Sequence, residues 1–198
     1  MMEFVLASNN TKKLIEMREI LLGIGISVVS MRDLGIDSEP EETGATFEEN
    51  ALIKARAAMS ASGQPAIADD SGLCVSALGG GPGVYSARYG GPGLSDGERT
   101  QLLLRELGDE LNRAAKFVCA IACVFPNGRE IVLRGECGGE ITKEPRGSGG
   151  FGYDPIFEPE GLGCTMAQLT PEGKHKISHR GRALLVLRKE LERLYVDK

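Results

Sequence analysis

The stretch "AKFVCAIACVFPNGREIVLRGEC", residues 115–137, decides the fold class. Two runs rich in apolar and β-branched residues flank the dipeptide Asn-Gly, which is a strong signal for a tight turn between antiparallel strands. The stretch therefore predicts a β-hairpin. Any sheet that contains this hairpin has at least one antiparallel pair of strands.

The rest of the chain alternates short strands with helices. Apolar runs and helical spacing predict strands at residues 3–8, 26–31 and 66–69, and helices at residues 13–23, 46–63 and 95–107. A last amphipathic helix is predicted from the spacing of Leu184, Leu187, Leu191 and Leu194. Alternating strands and helices together with a hairpin predict an α/β protein with a mixed sheet.

Composition limits the possible classes of protein. The 198-residue chain is 41% hydrophobic and its net charge is −5, so it lacks the basic field of a duplex-binding protein and suits a small ligand bound locally. The N-terminus does not resemble a signal peptide and no window is apolar enough for a membrane span, so we expect a cytoplasmic location. An odd number of cysteines without a C-x-x-C pair predicts mainly buried thiols.

Two glycine-rich segments, residues 77–93 and 146–155, are predicted to be surface loops. The second contains "GSGGFG", which formally matches the dinucleotide-binding pattern G-x-G-x-x-G. Pro155 and the lack of a helical stripe after it argue against that interpretation, and the chain has no P-loop sequence. These loops and the loop after the first strand are the expected walls of a ligand site.

Two adjacent carboxylates, Asp69 and Asp70, stand in "AIADDSGL" where an apolar run ends. A single Asp can accept the backbone N–H bonds of the turn that ends a strand. A second carboxylate adds charge repulsion unless a cation is near. In an extended chain neighbouring side chains point to opposite faces, so the two carboxylates are expected to have different roles.

Basic and polar residues form two further candidate sites. "SNNTKK", residues 8–13, lies between a strand and a helix, where an anion is favoured; the alternative is that Asn10 or Thr11 only caps the helix. "KHKISHRG", residues 174–181, holds both histidines of the chain; it is either a solvated basic run or a recognition segment, and we favour recognition.

Capping also bears on the helix at residues 46–63. Thr46 and Glu49 form a predicted capping box, which gives Glu49 a structural role first. Lys54 lies further along the same helix, where a single lysine is usually solvated.

The segments "SNNTK", "TGATFEENALIKA", "ADDSGLCVSALGGGPGVYSARYGG", "GGFGYDPIF" and "SHRGRAL" occur in this order and together closely resemble the RdgB/HAM1 family of inosine/xanthosine triphosphate pyrophosphatases. The resemblance covers nearly the whole chain and implies a single domain over residues 1–198. It implies an elongated mixed central sheet flanked by helices, an active cleft between two lobes, and a homodimer. The implied activity is Mg²⁺-dependent hydrolysis of ITP, dITP and XTP to monophosphate and pyrophosphate.

The resemblance also implies roles for individual residues. Asp70 would be the general base and, with Glu41, a metal ligand, and Ser71 would contact substrate. The residues implied to bind the triphosphate are Ser8, Asn9, Asn10, Thr11, Lys12, Lys13, Lys54 and Lys174. The residues implied to bind the base are Phe151, Gly152, Tyr153, Asp154, His179 and Arg180.

Base selectivity has a physical reason under these roles. Phe151 can stack on the purine, while donors near His179 can bond O6 of hypoxanthine or xanthine. Adenine presents a donor at that position, so two donors would face each other unpaired. The alternatives are a Maf-like pyrophosphatase with different base specificity, which the "FGYD" and "SHR" segments disfavour, and a non-catalytic nucleotide-binding module, which Asp70, Glu41 and Lys13 disfavour.

Overall fold

The computed structural model describes residues 2–8, 10–23, 25–37 and 40–196. Within these ranges the strands are β1 (Met2–Leu6), β2 (Ile26–Ser30), β3 (Ala66–Val75), β4 (Ala114–Val124), β5 (Glu130–Ile141) and β6 (Phe157–Pro159). The α-helices are α1 (Thr11–Gly23), α2 (Phe47–Ser62), α3 (Asp96–Leu107), α4 (Pro171–Ile177) and α5 (His179–Val196).

The described strands form one six-stranded sheet in the order β2-β1-β3-β4-β5-β6. β1 pairs in parallel with β2 and β3, whereas β5 pairs antiparallel with β6. The predicted hairpin is confirmed: the Phe125 amide donates to the Arg129 carbonyl at 2.9 Å, and Gly128 in the turn has a φ of 82°. A positive φ of this kind favours glycine. The predicted α/β class with a mixed sheet flanked by helices is therefore confirmed.

Local capping signals gave the correct helix starts. Ser95 and Glu98 form a complete capping box at the start of α3, and Thr46 and Glu49 form another at the start of α2. Each box is made by residues three apart in sequence, so a short stretch of chain is enough to form it.

The prediction that the third strand ends at Asp69 is wrong. β3 continues through Asp69 and Asp70 to Val75, and both carboxylates are buried within it. A strand can contain buried carboxylates when ion pairs compensate their charge, and both residues have such partners. The predicted irregular loop at 77–93 also contains short 3₁₀ helices at Ser76–Leu78 and Gly83–Arg88.

The described chain divides into two compact units. Unit 1 comprises residues up to 70 together with 119–135 and the chain from 180 onward, and unit 2 comprises 71–118 and 136–179. The prediction of one domain over residues 1–198 and the prediction of a cleft between two lobes are not tested by this division and stay predictions.

Each unit has its own apolar core. In unit 1, side chains of β1, β3 and β4 pack with α1 and α5, through residues that include Phe4, Met17, Leu21, Ile67, Ile121, Leu184 and Leu187. In unit 2, the core includes Leu73, Leu103, Phe117, Ile141, Tyr153, Phe157 and Met166. The C-terminal helix thus buries the predicted leucine face, since Leu184, Leu187 and Leu191 are at most 4% exposed.

None of the helices in the described part of the chain combines the length and apolar character needed to cross a membrane. All five cysteines are free thiols, and Cys119, Cys123 and Cys137 are buried. The prediction of mainly buried thiols is confirmed.

Candidate active site

Asp70 on β3 is buried in unit 1 and accepts hydrogen bonds from two side chains of α2. Lys54 Nζ lies 2.9 Å from Asp70 Oδ1, and Asn50 Nδ2 lies 3.4 Å from Asp70 Oδ2. Asn50 and Lys54 are four residues apart in sequence, which places them on one face of the helix. The helix therefore presents an amide and an ammonium to a single carboxylate.

Asn50 also connects Asp70 to the segment before α2. The Gly44 amide donates to Asn50 Oδ1 at 2.8 Å, and Asn50 is completely buried. A Cβ atom at Gly44 would come within 2.7 Å of that same oxygen. Glycine at this position is required for the close approach of the backbone to Asn50.

Lys54 bridges two carboxylates. Its Nζ lies 2.9 Å from Glu42 Oε1 as well as 2.9 Å from Asp70 Oδ1. Burial acts to lower the pKa of Lys54, but the charges of Asp70 and Asp69, together with the hydrogen bond and charge of Glu42, raise the pKa above its ordinary value. Lys54 is therefore a permanent cation in this cluster, and the expectation that a lone helical lysine is solvated is wrong here.

Burial is the main influence on the pKa of Asp70. Removal of the carboxylate from water raises the pKa of Asp70, and the positive charges of Lys54 and Lys13 only partly oppose this shift. A carboxylate with a raised pKa accepts a proton more readily than an ordinary one. The environment of Asp70 is suited to a general base.

Asp69 has a different set of partners. Arg180 lies with its Nη2 2.9 Å and its Nε 3.3 Å from Asp69 Oδ2, and Lys13 Nζ lies 3.2 Å from the same oxygen. Arg180 also donates to Glu16 Oε2 at 2.5 Å. The side chains of Asp69 and Asp70 thus make separate ion pairs, as the alternation of side chains along a strand predicts.

Arg180 is enclosed by this network, with a relative exposure of only 1%. Burial alone would lower the pKa of Arg180, but Asp69 and Glu16 raise it, so the guanidinium stays charged. Arg180 therefore stabilises unit 1 through two buried carboxylates. The base-binding role implied for it by the resemblance stays a prediction.

The loop between β1 and α1 is arranged as a helix cap. Asn10 Oδ1 accepts from the amides of Lys12 and Lys13 at 3.0 and 3.1 Å, and the Asn10 amide donates to Ser8 Oγ at 3.3 Å. Of the two capping residues considered, the structure selects Asn10. Thr11 and Lys12 are exposed, and Lys13 is half-buried.

Asn9, a predicted phosphate-binding residue, lies outside the described residues. Ser71, a predicted substrate contact, follows Asp70 on β3 and is half-buried. Their implied roles stay predictions.

A second cluster of predicted site residues lies in unit 2. Asp154 Oδ2 accepts from the Phe151 amide at 2.8 Å and from Lys174 Nζ at 2.7 Å. The Lys174 ammonium also lies 4.6 Å from the centroid of the Phe151 ring, within the range of a cation–π contact. Lys174 is buried, so its ammonium is held between Asp154 and the Phe151 ring instead of extending into solvent.

The turn that contains Phe151 is tightly built. Gly150 has a φ of 70°, and a Cβ atom there would lie 2.0 Å from Asp154 Oδ2. The hydroxyl of Tyr153 donates to the Ser86 carbonyl at 2.9 Å, and burial raises the pKa of Tyr153, which keeps the hydroxyl protonated. The segment 151–154 is therefore held by contacts at several of its residues.

His179 is stacked on an aromatic side chain of unit 2. Its ring centroid lies 4.8 Å from that of Phe117 with an interplanar angle of 14°. Ser178 and His179 are buried, as is Lys174 at the other end of the segment. The interpretation of 174–181 as a solvated basic run is wrong for these positions, because all three are buried.

The structure brings together some of the predicted residues and adds others. In unit 1 it groups Lys13, Lys54 and Asp70, and in unit 2 it groups Phe151, Asp154 and Lys174. Sequence reasoning missed Glu16, Glu42, Asn50 and Asp96. The spacing of Asn50 with Lys54, and of Glu16 with Lys13, on shared helix faces was an available signal.

The carboxylate next to Lys54 is Glu42, whereas the neighbouring Glu41, the predicted metal ligand, is exposed. No local periodicity distinguishes two adjacent residues in an irregular segment. The implied role of Glu41 stays a prediction.

The described residues contain no group of three or more His, Cys, Asp or Glu side chains placed to hold a metal ion. Mg²⁺, however, is usually held by one or two carboxylates together with phosphate oxygens of the substrate. Asp70 and Glu42 both direct an oxygen at one ammonium group, at 2.9 Å each, so this oxygen-rich position already accommodates a cationic group. The donor chemistry therefore fits a Mg²⁺ ion completed by substrate.

Comparison with known proteins gives a consistent result. A family model described as the Ham1 family matches residues 4–190. The chain is 52% identical over 189 residues to a dITP/XTP pyrophosphatase of Nocardia farcinica, covering 93% of this chain and 92% of that protein. It is 50% identical over 193 residues to the dITP/XTP pyrophosphatase of Haemophilus influenzae, covering 96% and 98%.

The fold agrees with solved structures as well. A HAM1 protein from Coxiella burnetii superposes with a TM-score of 0.88 at 46% identity, covering 98% of this chain and all of that one. The Ham1 protein of Staphylococcus aureus superposes with a TM-score of 0.87, also at 46% identity, over 96% and 98% of the two chains.

Proposed function

Because the chain belongs to the Ham1 family, we propose that it is a nucleoside-triphosphate pyrophosphohydrolase that removes non-canonical purine nucleotides. Its substrates are ITP, dITP and XTP, and its products are the nucleoside monophosphate and pyrophosphate. Relatives named dITP/XTP pyrophosphatase, about half identical over more than nine-tenths of the chain, support this substrate class.

One structural observation carries the proposal of hydrolysis. Asp70 is 6% exposed, yet its two oxygens are directed at two donors of one helix, Lys54 and Asn50. Water must lose a proton when it cleaves the anhydride bond between the α- and β-phosphates. Asp70 accepts that proton, because its raised pKa makes it a better base than an exposed carboxylate.

The lysines of unit 1 supply the positive charge that a triphosphate requires. Lys13 and Lys54 are compact ammonium groups, which suit a mobile polyanion. Asp69 lies 3.2 Å from Lys13 and Asp70 lies 2.9 Å from Lys54, so the structure supports ammonium groups held in place before substrate arrives. Groups that are already oriented lose less entropy when the substrate binds.

Mg²⁺ is the proposed cofactor, held by Asp70 with a carboxylate of the adjacent acidic segment, Glu41 or Glu42. When bound, the ion neutralises phosphate charge and completes its coordination with substrate oxygens. Asp70 would then serve both as ligand and as proton acceptor, through its two oxygens.

Phe151 and the residues around it are proposed to bind the purine. The ring of Phe151 provides a stacking surface, and His179 is a donor that can pair with O6 of hypoxanthine or xanthine. Adenine has an amino group at that position, and two facing donors leave both unpaired at a cost of about 1–3 kcal/mol. A homodimer, implied by the resemblance, and the cytoplasmic location expected from the sequence are proposed with this function.

A screen of pyrophosphate release tests the proposal. The purified protein is given ITP, XTP, dITP, GTP, ATP and dTTP in turn, with Mg²⁺ and again with excess EDTA. We expect turnover of the first three with Mg²⁺ and loss of turnover with EDTA. Preferential turnover of dTTP would indicate a Maf-like specificity, and binding of ITP without any turnover would indicate a non-catalytic module.

A further inference from the structure

The segment that carries Phe151 is held by the first turn of α3. The Gly152 amide donates to Asp96 Oδ2 at 3.0 Å, and the Thr100 hydroxyl lies 3.4 Å from the Gly152 carbonyl oxygen. Both polar groups of the Gly152 backbone therefore face α3, although Asp96 is 56 positions away in sequence.

Gly152 is the position in this segment that most needs an external restraint. Its φ of 61° lies in the left-handed region, and nothing lies within 4 Å of the place where a Cβ atom would stand. Other contacts hold the Phe151 amide, which donates to Asp154, and the Tyr153 hydroxyl, which donates to the Ser86 carbonyl, but neither contact fixes the backbone torsions at Gly152. Glycine has the greatest backbone freedom of any residue, so the hydrogen bond that the Gly152 amide donates to Asp96 restrains the peptide link between Phe151 and Gly152.

Asp96 is placed to do this without serving as the helix cap. Ser95 and Glu98 already form a complete capping box at the start of α3. Arg99 lies 3.8 Å from Asp96 Oδ1, and Thr100 donates to the Asp96 carbonyl at 2.8 Å, so both the side chain and the backbone of Asp96 are held. Its negative charge is also favourable at a helix N-terminus.

We propose that Asp96 is a positioning residue for base recognition: by holding the Gly152 amide it fixes the Phe151 ring in the orientation that receives the purine. This inference rests on the proposed function, because it takes Phe151 as the stacking surface. If the hydrogen bond is lost, only a fraction of molecules has the ring correctly oriented, and the apparent affinity falls by that fraction. The turnover of bound substrate is unaffected, since the proton transfer belongs to Asp70.

Three variants test the inference. Asp96→Ala removes the acceptor, Asp96→Asn removes the charge but keeps an oxygen for the Gly152 amide, and Glu98→Gln is a charge-matched control. Glutamine is compatible with a capping box, so Glu98→Gln removes a carboxylate from the same helical turn and leaves the loop contact intact.

For Asp96→Ala we expect KM for ITP to rise about three- to tenfold, as for the loss of one hydrogen bond, with kcat within about twofold of wild type. Asp96→Asn should recover most of the wild-type KM, and Glu98→Gln should not change it. Hydrogen exchange followed by NMR should show the Gly152 amide exchanging severalfold faster in Asp96→Ala and unchanged in Glu98→Gln.

The inference would be overturned by an unchanged Gly152 exchange rate in Asp96→Ala, or by the same rise in KM in Asp96→Ala and Glu98→Gln. A loss of kcat without a change in KM would also contradict it. Failure of the proposed function can be distinguished from failure of this inference. If the wild-type protein does not hydrolyse ITP, hydrogen exchange still measures whether Asp96 holds the Gly152 amide.

Discussion

The adjacent residues Asp69 and Asp70 are expected to separate stability from activity. They occupy one strand and both are at most 6% exposed, but their ion pairs differ. We predict that Asp70→Asn leaves a stable protein with very low activity. Asp69→Asn should leave a less stable protein that retains more activity.

The effect of Asp70→Asn follows from its buried environment. Burial raises the pKa of Asp70, so the folded protein holds the charged carboxylate at a cost relative to the unfolded chain. Asn keeps the size and an acceptor for Lys54, and it removes that cost. Lys54 is less buried than Arg180 and keeps Glu42 as a partner, so the melting temperature should be unchanged or higher. Loss of the general base should reduce kcat by roughly 10²- to 10⁴-fold.

The effect of Asp69→Asn follows from Arg180. The guanidinium is 1% exposed, and after the substitution it still has the carboxylate of Glu16 as a partner. Removing one charged partner from a buried ion pair lowers the free energy of unfolding by about 3 kcal/mol. In a chain of this length that cost corresponds to a decrease of about 6–12 °C in melting temperature.

The assay combines metal-free thermal melts with steady-state ITP hydrolysis at saturating Mg²⁺, measured at a temperature where both variants are folded. Asp70→Asn with near-wild-type kcat would refute the assignment of the base. If Asp69→Asn has the melting temperature of the wild-type protein, or if its kcat is lower than that of Asp70→Asn, the assignment of stability to Asp69 and activity to Asp70 is refuted.

Phe151→Ala should raise KM for ITP with a smaller effect on kcat, because base stacking is worth about 1–3 kcal/mol and acts on ground and transition states alike; an unchanged KM would remove Phe151 from the site. Lys13→Ala should weaken ITP and ATP equally, and a changed ratio of their kcat/KM values would place Lys13 at the base. Lys54→Met should lower kcat for ITP by about 10²-fold, as for the loss of one oriented charge, and wild-type turnover would contradict its role beside Asp70. The exposed pair of Arg56 with Glu130, 2.6 Å apart, should matter little: Arg56→Ala should change the unfolding free energy by about 1 kcal/mol or less in denaturant titration, and a larger loss would show that this pair is more than a surface contact.

Several features could be predicted from the sequence because they depend on neighbours along the chain. The Asn-Gly turn at 127–128 and the capping boxes at Ser95 and Thr46 involve residues no more than three or four positions apart. Helical spacing likewise predicted the buried leucine face of α5. In each case the backbone geometry of a single element determines which side chains meet.

The partners of the buried charges were decided only by the tertiary structure. Arg180 and Asp69 are 111 positions apart, so their pairing depends on how β3 and α5 are assembled. The same is true of Asp96 and Gly152. A sequence pattern does not show which residues come into contact when they are this far apart along the chain.

The adjacent carboxylates show how the two levels combine. The sequence by itself determined that two carboxylates stand side by side, and it predicted different partners for them wherever the chain is extended, because side chains alternate along a strand. It did not determine that the strand continues through them, since burial of two charges is tolerable only once Arg180, Lys13 and Lys54 have been brought alongside. Those cations come from three different helices, and only the folded chain places them together.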